Sequence, residues 1–486
     1  MIPESLNNLI AGIESPSHNG EYFEKLSPHS GQRLCLVARS GACDVQRAVE
    51  SAMRVQEVWA ETPAVQRGMI LLRLVRLMQD KTDEIAAIVA SETGKSLRDA
   101  RGEVGAAVQC GLFYASEGQR LYGKTTTTGA VNKYAMTIRQ PIGIAGLIIA
   151  ANTPIANVAW KVFPALICGN AAVLKASEDT PATAWKFGRL AEEAGIPSGV
   201  LNIVQGLGAE AGDALVRHPD VGVVSFTGST RVGRLIQQHA GARFARISLE
   251  LGGKNPLVVC DDADLENAAK WTLLSAFSNA GQRCAAAGRI IVFDSVYERF
   301  KALLVERTRL LKVGPNDSDD YGPVINQRQM ENMLRHVEEA VEDGAVVLTG
   351  GHRMTQKELT AGWYVAPTLL ENVAPDAPLT CTELFGPIAA LYRVTGFEEA
   401  LRLSNCSPYG LTACIHTRSF SRAIRFCDRV QTGVAVVNAG TFGSEPHMPF
   451  GGRKESGNGS REPGTEALNV YSELKDVYLN VDPSAI

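Results

Sequence analysis

Between positions 64 and 89 the apolar residues recur as Ile70, Leu74, Leu77, Met78, Ile85, Ile88 and Val89. This is helical spacing, and Thr82 at the break between the two runs is a suitable N-cap. From 134 to 174 the texture changes to short apolar runs, at 142–149 and 171–174, on either side of a helix-like stretch through Trp160 and Lys161. That order predicts a parallel strand, helix, strand unit. Further apolar runs at 199–204 and 221–226 follow helical stretches at 181–194 and 209–217, so the alternation predicts an α/β chain with a doubly wound sheet. After Gly252-Gly253 the pattern restarts with a run at 257–260, a helix over 265–277, a loop, and a run at 290–293, which predicts a domain boundary near 252. Glycines crowd 443–464, and beyond them 468–480 alternates (Leu468, Val470, Ser472, Leu474) like a terminal extended strand.

The 486 residues amount to about three ordinary domains of ~150 residues, enough for an ample core. A formal net charge of −4, with basic and acidic residues interspersed, supplies no case for nucleic acid or an anionic membrane as partner. The ten cysteines include no CxxC pair and read as reduced thiols of a cytoplasmic protein. The N-terminus lacks a basic signal region, and the most apolar run, 141–151, is too short to span a bilayer. No HxH or HExxH spacing occurs, so no metal is expected. The 46 glycines, roughly a tenth of the chain against an average of ~7 %, point to tight turns and close backbone approaches.

Four stretches combine residues suited to chemistry. Cys284 lies in a polar, glycine-flanked loop, the setting a nucleophilic thiol needs, although a small core residue is the ordinary reading of any single cysteine. Glu250 ends a strand between Leu249 and Leu251, where desolvation would raise its pKa toward that of a general base; alone, a solvated strand glutamate is the ordinary reading. Asn152 follows an apolar strand, where ligands lie in open α/β sheets and an amide can donate to an oxyanion, or where an asparagine simply turns the chain. Lys175 and Glu178 just past a strand could hold ribose hydroxyls. The turns at Gly206-Leu-Gly208 with Gly212, and Phe226-Thr227-Gly228-Ser229 through Gly233, would let a pyrophosphate approach backbone N–H groups. Neither turn is a GxGxxG fingerprint, and each alone is an ordinary helix start.

In order and spacing these motifs resemble those of the aldehyde dehydrogenase superfamily over nearly the whole chain. Phe277-Ser-Asn-Ala-Gly-Gln-Arg-Cys284 is similar to its cysteine motif, and Leu249-Glu250-Leu-Gly-Gly-Lys to its glutamate motif, with 34 positions between Glu250 and Cys284. Glu92-Thr-Gly-Lys95, Glu383-Leu-Phe385-Gly-Pro387, Asn438 and Pro449-Phe-Gly-Gly-Arg-Lys-Glu-Ser-Gly457 fall where the family carries related signatures. The resemblance implies a Rossmann-like NAD-binding domain (1–121 and 142–251) and an α/β catalytic domain (252–450). It also implies a small β bridging element (122–141 and 468–486) that joins subunits into a homodimer or homotetramer.

The resemblance also implies roles. Cys284 attacks an aldehyde, Asn152 and the Cys284 N–H hold the oxyanion, and Glu250 activates the water that hydrolyses the thioester. Lys161 stands where the family has a lysine linked to proton relay. NAD would be held by Lys175 and Glu178 at the adenosine ribose and by Gly208, Gly212, Ser229 and Gly233 around the pyrophosphate. Glu383 would take the nicotinamide ribose, Phe385 would lie near the ring, and Ile149, Phe226, Thr227, Gly228 and Leu251 would line the rest. A carboxylate at Glu178 would repel the 2′-phosphate of NADP, so NAD is expected. Where the family usually has Pro-Trp before the asparagine, this chain has Ala150-Ala151. The substrate mouth, with Thr153, Asn157, Trp160 and Arg283, is more polar than the aromatic tunnel of relatives that take fatty aldehydes. It suggests a polar or carboxylate-bearing aldehyde that Arg283 can meet; equally, Arg283 faces solvent or pairs within its loop. A coenzyme-A-acylating relative would also use the cysteine but has no need of a hydrolytic base, and a catalytically silent member would need none of the three residues.

Overall fold

The computed structural model describes residues 2–485; Met1 and Ile486, at the ends of the implied segments 1–121 and 468–486, lie outside the described residues. Two seven-stranded sheets dominate. In the first, Arg246–Glu250, Val223–Thr227, Ile144–Ile148, Ala171–Lys175 and Leu201–Val204 run parallel, and the N-terminal strands Asn8–Ile10 and Ile13–Ser15 close one edge antiparallel. Ile144–Ile148 shows why its sequence reads as one apolar run. Ala145 and Leu147 pack into a core shared with the helices Ala64–Asp80, Leu97–Glu117 and Pro154–Ile167, whereas Ile144 and Ile148 pack on the other face against Ala42–Glu61. A parallel strand covered on both faces has no polar side to show.

The chain leaves this sheet at Glu250 and enters the second at Asn255. The second sheet orders Val346–Thr349, Thr368–Glu371, Ile388–Val394, Ala287–Phe293, Asn255–Val259, Thr412–His416 and Val434–Val437, all parallel except the first. A third, three-stranded sheet joins Ser472–Asn480 to Lys133–Pro141 and Thr125–Thr126. The main sheets thus present the ends of Ile144–Ile148, Val223–Thr227 and Arg246–Glu250 toward the loop that precedes Ala287–Phe293.

Two local expectations fail. The stretch 468–480 is not one strand: Ala467–Tyr471 is a helical turn and the strand begins at Ser472. Ala467, Leu468, Val470 and Tyr471 lie at helical spacing and all enter the core beside Pro154–Ile167, which an extended chain could not achieve with neighbours 467 and 468 together. Thr82 does not cap; the helix Thr82–Thr93 starts with Lys81 as its N-cap, and the Thr82 hydroxyl donates back to the carbonyls of Met78 and Gln79.

Candidate active site

Cys284 sits after the helix Leu265–Phe277, in a loop whose backbone turns left-handed at Asn279, Ala280 and Gly281 (φ of 55°, 54° and 66°). At Gly281 a Cβ would collide with the backbone of Gly386, so only glycine fits that turn. The Asn255 amide donates to the Cys284 carbonyl (2.8 Å) and fixes the loop to the sheet. Burial, then the charges of Glu383 and Glu250, push the Cys284 thiol up to about 12, against the opposing Ala285 N–H and Arg283.

Glu250 ends its strand at 4 % exposure, and neither carboxylate oxygen has a hydrogen-bond partner. Desolvation and the neighbouring Glu462 raise its pKa well above the usual carboxylate range, while Lys161 and Arg461 pull it down. The glycine-rich loop closes over it. A Cβ at Gly451 would stand 2.8 Å from Glu250 Oε1, the Leu251 N–H donates to the Ser456 carbonyl (3.1 Å), and Asn458 Oδ1 accepts the Leu249 N–H (3.1 Å). Lys161 lies behind Glu250, fully buried, its Nζ donating to Ser225 Oγ (2.7 Å) and Glu462 Oε2 (2.9 Å). Glu462 further accepts from the hydroxyls of Ser225, Ser248 and Tyr471.

Asn152 lies between the strand Ile144–Ile148 and the helix Pro154–Ile167. Its Nδ2 donates to the Gln282 carbonyl (3.0 Å), and its own carbonyl accepts from Lys95 Nζ (2.8 Å). Lys95 is paired with buried Glu103, whose other oxygen accepts the Ile155 N–H (2.9 Å). A cavity of about 540 Å³ is lined by Cys284, Asn152, Trp160, Arg283, Phe442 and Phe450. The Trp160 and Phe450 rings are 5.6 Å apart. The Arg283 guanidinium stacks over Phe442 at 4.9 Å, has no ion-pair partner among the described residues, and leaves Nε buried without a hydrogen bond. Asn157 does not line this cavity: its amide donates to the carbonyl and hydroxyl of Thr153, both at 3.0 Å, and at 3.5 Å to Asn152 Oδ1, which ties it to the side chain of Asn152 from behind.

On the other side of the sheet ends, Lys175 Nζ donates to Glu178 Oε2 (2.9 Å), leaving Oε1 without a described partner. Burial pushes the Glu178 carboxyl up, but the charge and hydrogen bond of Lys175 outweigh it and the net shift is downward. Gly208 faces this carboxylate: a Cβ there would come within 3.9 Å of both oxygens and fill the space in front of them. Ser229 caps the helix Thr230–Gly241, with Gly233 one turn in, where a Cβ would meet Leu251 at 2.7 Å. Gly228 lies against the Phe226 ring, Thr227 pairs in register with Glu250, Ile149 is buried in the core, and Gly212 borders open space. Glu383 accepts the Gly253 N–H (3.1 Å) and lies so close over Gly252 that a Cβ there would collide with it. Burial raises its carboxyl to about 7 against Gly253 and Lys254. Phe385, at φ 56°, lines a small crevice with Glu383 and Arg283.

Several residues of this arrangement carried no signal of their own in the sequence. Glu462, held by the Tyr471 hydroxyl, reaches Lys161 from 301 positions away, and Glu103 reaches Lys95 across two helical turns. Only the motif Glu92-Thr-Gly-Lys95 marked that neighbourhood in advance.

A family model described as the aldehyde dehydrogenase family matches residues 15–477. An alpha-ketoglutaric semialdehyde dehydrogenase of Bacillus subtilis (strain 168) is 37 % identical over 475 residues, 97 % of each chain. A putative aldehyde dehydrogenase from Burkholderia cenocepacia superposes with a TM-score of 0.96 at 34 % identity over 98 % of both chains. The betaine aldehyde dehydrogenase of Staphylococcus aureus, solved in complex with NAD+, superposes with a TM-score of 0.96 at 29 % identity over 98 % of this chain and 95 % of that one.

Proposed function

This chain belongs to the aldehyde dehydrogenase family and is an oxidoreductase acting on an aldehyde; from that premise we propose that its substrate is a carboxylate-bearing semialdehyde and its cofactor NAD. The observation that carries the substrate reading is Arg283, a half-desolvated guanidinium without a counter-ion in the wall beside Cys284. A half-buried guanidinium without a counter-ion has lost part of its water for no charge in return, and a substrate carboxylate would complete it bidentately. The name of the Bacillus subtilis relative agrees with that chemistry.

The residues divide the work as follows. Cys284 Sγ releases its proton to solvent and adds to the aldehyde carbon, and the Cys284 N–H with one Asn152 Nδ2 hydrogen receives the oxyanion; the second hydrogen remains on Gln282. When bound, the nicotinamide supplies the hydride acceptor that turns the thiohemiacetal into a thioester on Cys284. Glu250, with both oxygens unpartnered and its pKa raised, takes a proton from the water that releases the acid. Lys161 holds Glu462 behind that base, where its charge tempers the rise. A coenzyme-A-acylating enzyme would not need Glu250, so hydrolysis is the reading favoured.

Glu178, held ionised beside Lys175 with a free oxygen and open space at Gly208, suits ribose hydroxyls and would repel a 2′-phosphate of ~2 negative charges. Ser229, Gly233 and Glu383 would hold the remainder. The segments 1–121 with 142–251, 252–450, and 122–141 with 468–486 would act as cofactor-binding, catalytic and subunit-joining units. The exposed Tyr134, Ile138, Leu474 and Tyr478 of the three-stranded sheet fit a homodimer or homotetramer. Among the described residues no helix is long and apolar enough to cross a membrane, and all ten cysteines are free thiols, which suits the cytoplasm.

A panel of aldehydes differing in charge and chain length, assayed with NAD and NADP and without coenzyme A, tests the proposal. Anionic semialdehydes with NAD should give the highest kcat/KM and a free acid. Equal rates on alkyl aldehydes, together with an Arg283→Ala enzyme unchanged on the best anionic substrate, would overturn the substrate reading. A higher kcat/KM with NADP would overturn the cofactor reading.

A further inference from the structure

The backbone carbonyls of residues 283–286, around the nucleophile, are all taken. The Ala286 N–H donates to the Arg283 carbonyl (3.0 Å) and closes a turn. Asn255 Nδ2 donates to the carbonyls of Cys284 (2.8 Å) and Ala286 (2.9 Å), and Asn255 Oδ1 accepts the Thr412 N–H (3.0 Å). The Ala285 carbonyl is left to Thr441, whose hydroxyl donates to it at 2.6 Å. Thr441 follows the strand Val434–Val437 and is 1 % exposed, and its own N–H donates to Ser275 Oγ (3.1 Å) in the helix Leu265–Phe277. It does not line the cavity at Cys284, so it acts on that cavity only through the loop.

In a trans peptide group the C=O and N–H point opposite ways, so holding one aims the other. The group whose carbonyl Thr441 holds carries the Ala286 N–H, which donates to the Arg283 carbonyl. The group that contains the Arg283 carbonyl presents at its other end the Cys284 N–H, and that N–H donates to no described residue. A line of donors therefore runs from Thr441 Oγ1 through two peptide groups to the N–H beside Sγ. Hydrogen bonds in such a line polarise one another, each strengthening the next by about 10–30 %. Any donor would satisfy a buried carbonyl. This one also lies in sequence with the N–H that an oxyanion needs.

We propose that Thr441 is a positioning residue for the oxyanion: through the Ala285–Ala286 and Arg283–Cys284 peptide groups its hydroxyl holds the Cys284 N–H toward the oxygen that becomes negative when Sγ adds to the aldehyde. The proposal rests on the reading of the Cys284 N–H and Asn152 as the oxyanion donors.

The test follows NADH by stopped-flow absorbance in the full-length enzyme, with saturating NAD and the best aldehyde of the panel above. Thr441→Val keeps the shape of the side chain and removes its hydroxyl. The rate constant of the first turnover should fall about tenfold, part of the about 10²–10³-fold that loss of an oxyanion donor costs. The amplitude per subunit, Kd for NADH and KM for NAD should change by less than about twofold. A bond that only supports the fold would lower the amplitude, which counts competent sites, and leave the rate constant of those sites native. Thr441→Ser restores the donor and should return the rate constant to within about twofold of the native value. A native rate constant in Thr441→Val would overturn the proposal, as would a loss that Thr441→Ser shares in full. If Thr441→Val does not fold, Thr441→Ala decides by the same criteria, and failure of both to fold overturns the proposal in favour of a purely structural bond. Asn152→Ala separates the two readings. An unchanged first-turnover rate constant there would overturn the oxyanion assignment itself, whereas a slow Asn152→Ala beside a native Thr441→Val overturns only the role of Thr441.

Discussion

The thiol of Cys284 should be unusually inert in the cofactor-free enzyme, and the structure says by how much. With its pKa pushed up to about 12 by burial and then by Glu383 and Glu250, the thiolate is about one part in 10⁴ at pH 8. An ordinary thiol of pKa ~8.5 is about a quarter ionised there, so Cys284 should react with iodoacetamide about 10³-fold more slowly. The assay is alkylation of the purified enzyme followed by peptide mass spectrometry, with exposed Cys43 and Cys406 as internal references. Because the thiolate is a trace species, the rate should rise about tenfold per pH unit from 7 to 10 without a plateau. Glu383→Gln deletes the largest opposing charge and should speed alkylation above about pH 7, where that carboxyl is ionised. Alkylation of Cys284 as fast as Cys43 near neutrality, a plateau below pH 10, or a slower Glu383→Gln enzyme would refute the reasoning.

Glu250→Gln should retain a first turnover of NADH and then lose steady-state rate by about 10²–10⁴-fold, seen as a burst in stopped-flow absorbance, because only thioester hydrolysis needs the base. In the native enzyme the same carboxylate must be deprotonated to act. Since its pKa is raised, the acidic limb of the hydrolytic rate should lie well above the carboxylate range, with activity falling as pH drops through it. Lys95→Met strands the buried Glu103 and frees the Asn152 carbonyl, so it should cost about 3–5 kcal/mol of stability by denaturant titration and lower kcat as well. Loss of kcat without loss of stability would show that the pair is not structurally required.

The reacting groups were legible in the sequence because each sits in a short stretch whose neighbours are also constrained: glycines that admit a close approach around Cys284, leucines that desolvate Glu250, a strand end before Asn152. The doubly wound alternation was legible for the same local reason, since apolar runs covered on both faces leave a continuous signal. What escaped was long-range. Glu462 beneath Lys161 is an ordinary charged residue until the fold removes its water. Asn157 is expected at the mouth from the resemblance alone, whereas the fold turns its amide to the carbonyl and hydroxyl of Thr153 and to Asn152 Oδ1. The 467–471 turn was misread because two alternating apolar residues satisfy either a strand or a helix over so short a span.

The glycine-rich loop over Glu250 has a consequence for the order in which the enzyme becomes competent during synthesis. Cys284, Asn152 and Glu250 have all left the ribosome while the segment from Gly451 to Glu462 is still to be made, and that segment is what walls the base from water and supplies the carboxylate behind it. A nascent chain ending before it would carry a nucleophile and an ordinary surface glutamate. Hydrolytic competence is therefore withheld until this segment has been made, which delays a reactive centre until the wall around its base is in place.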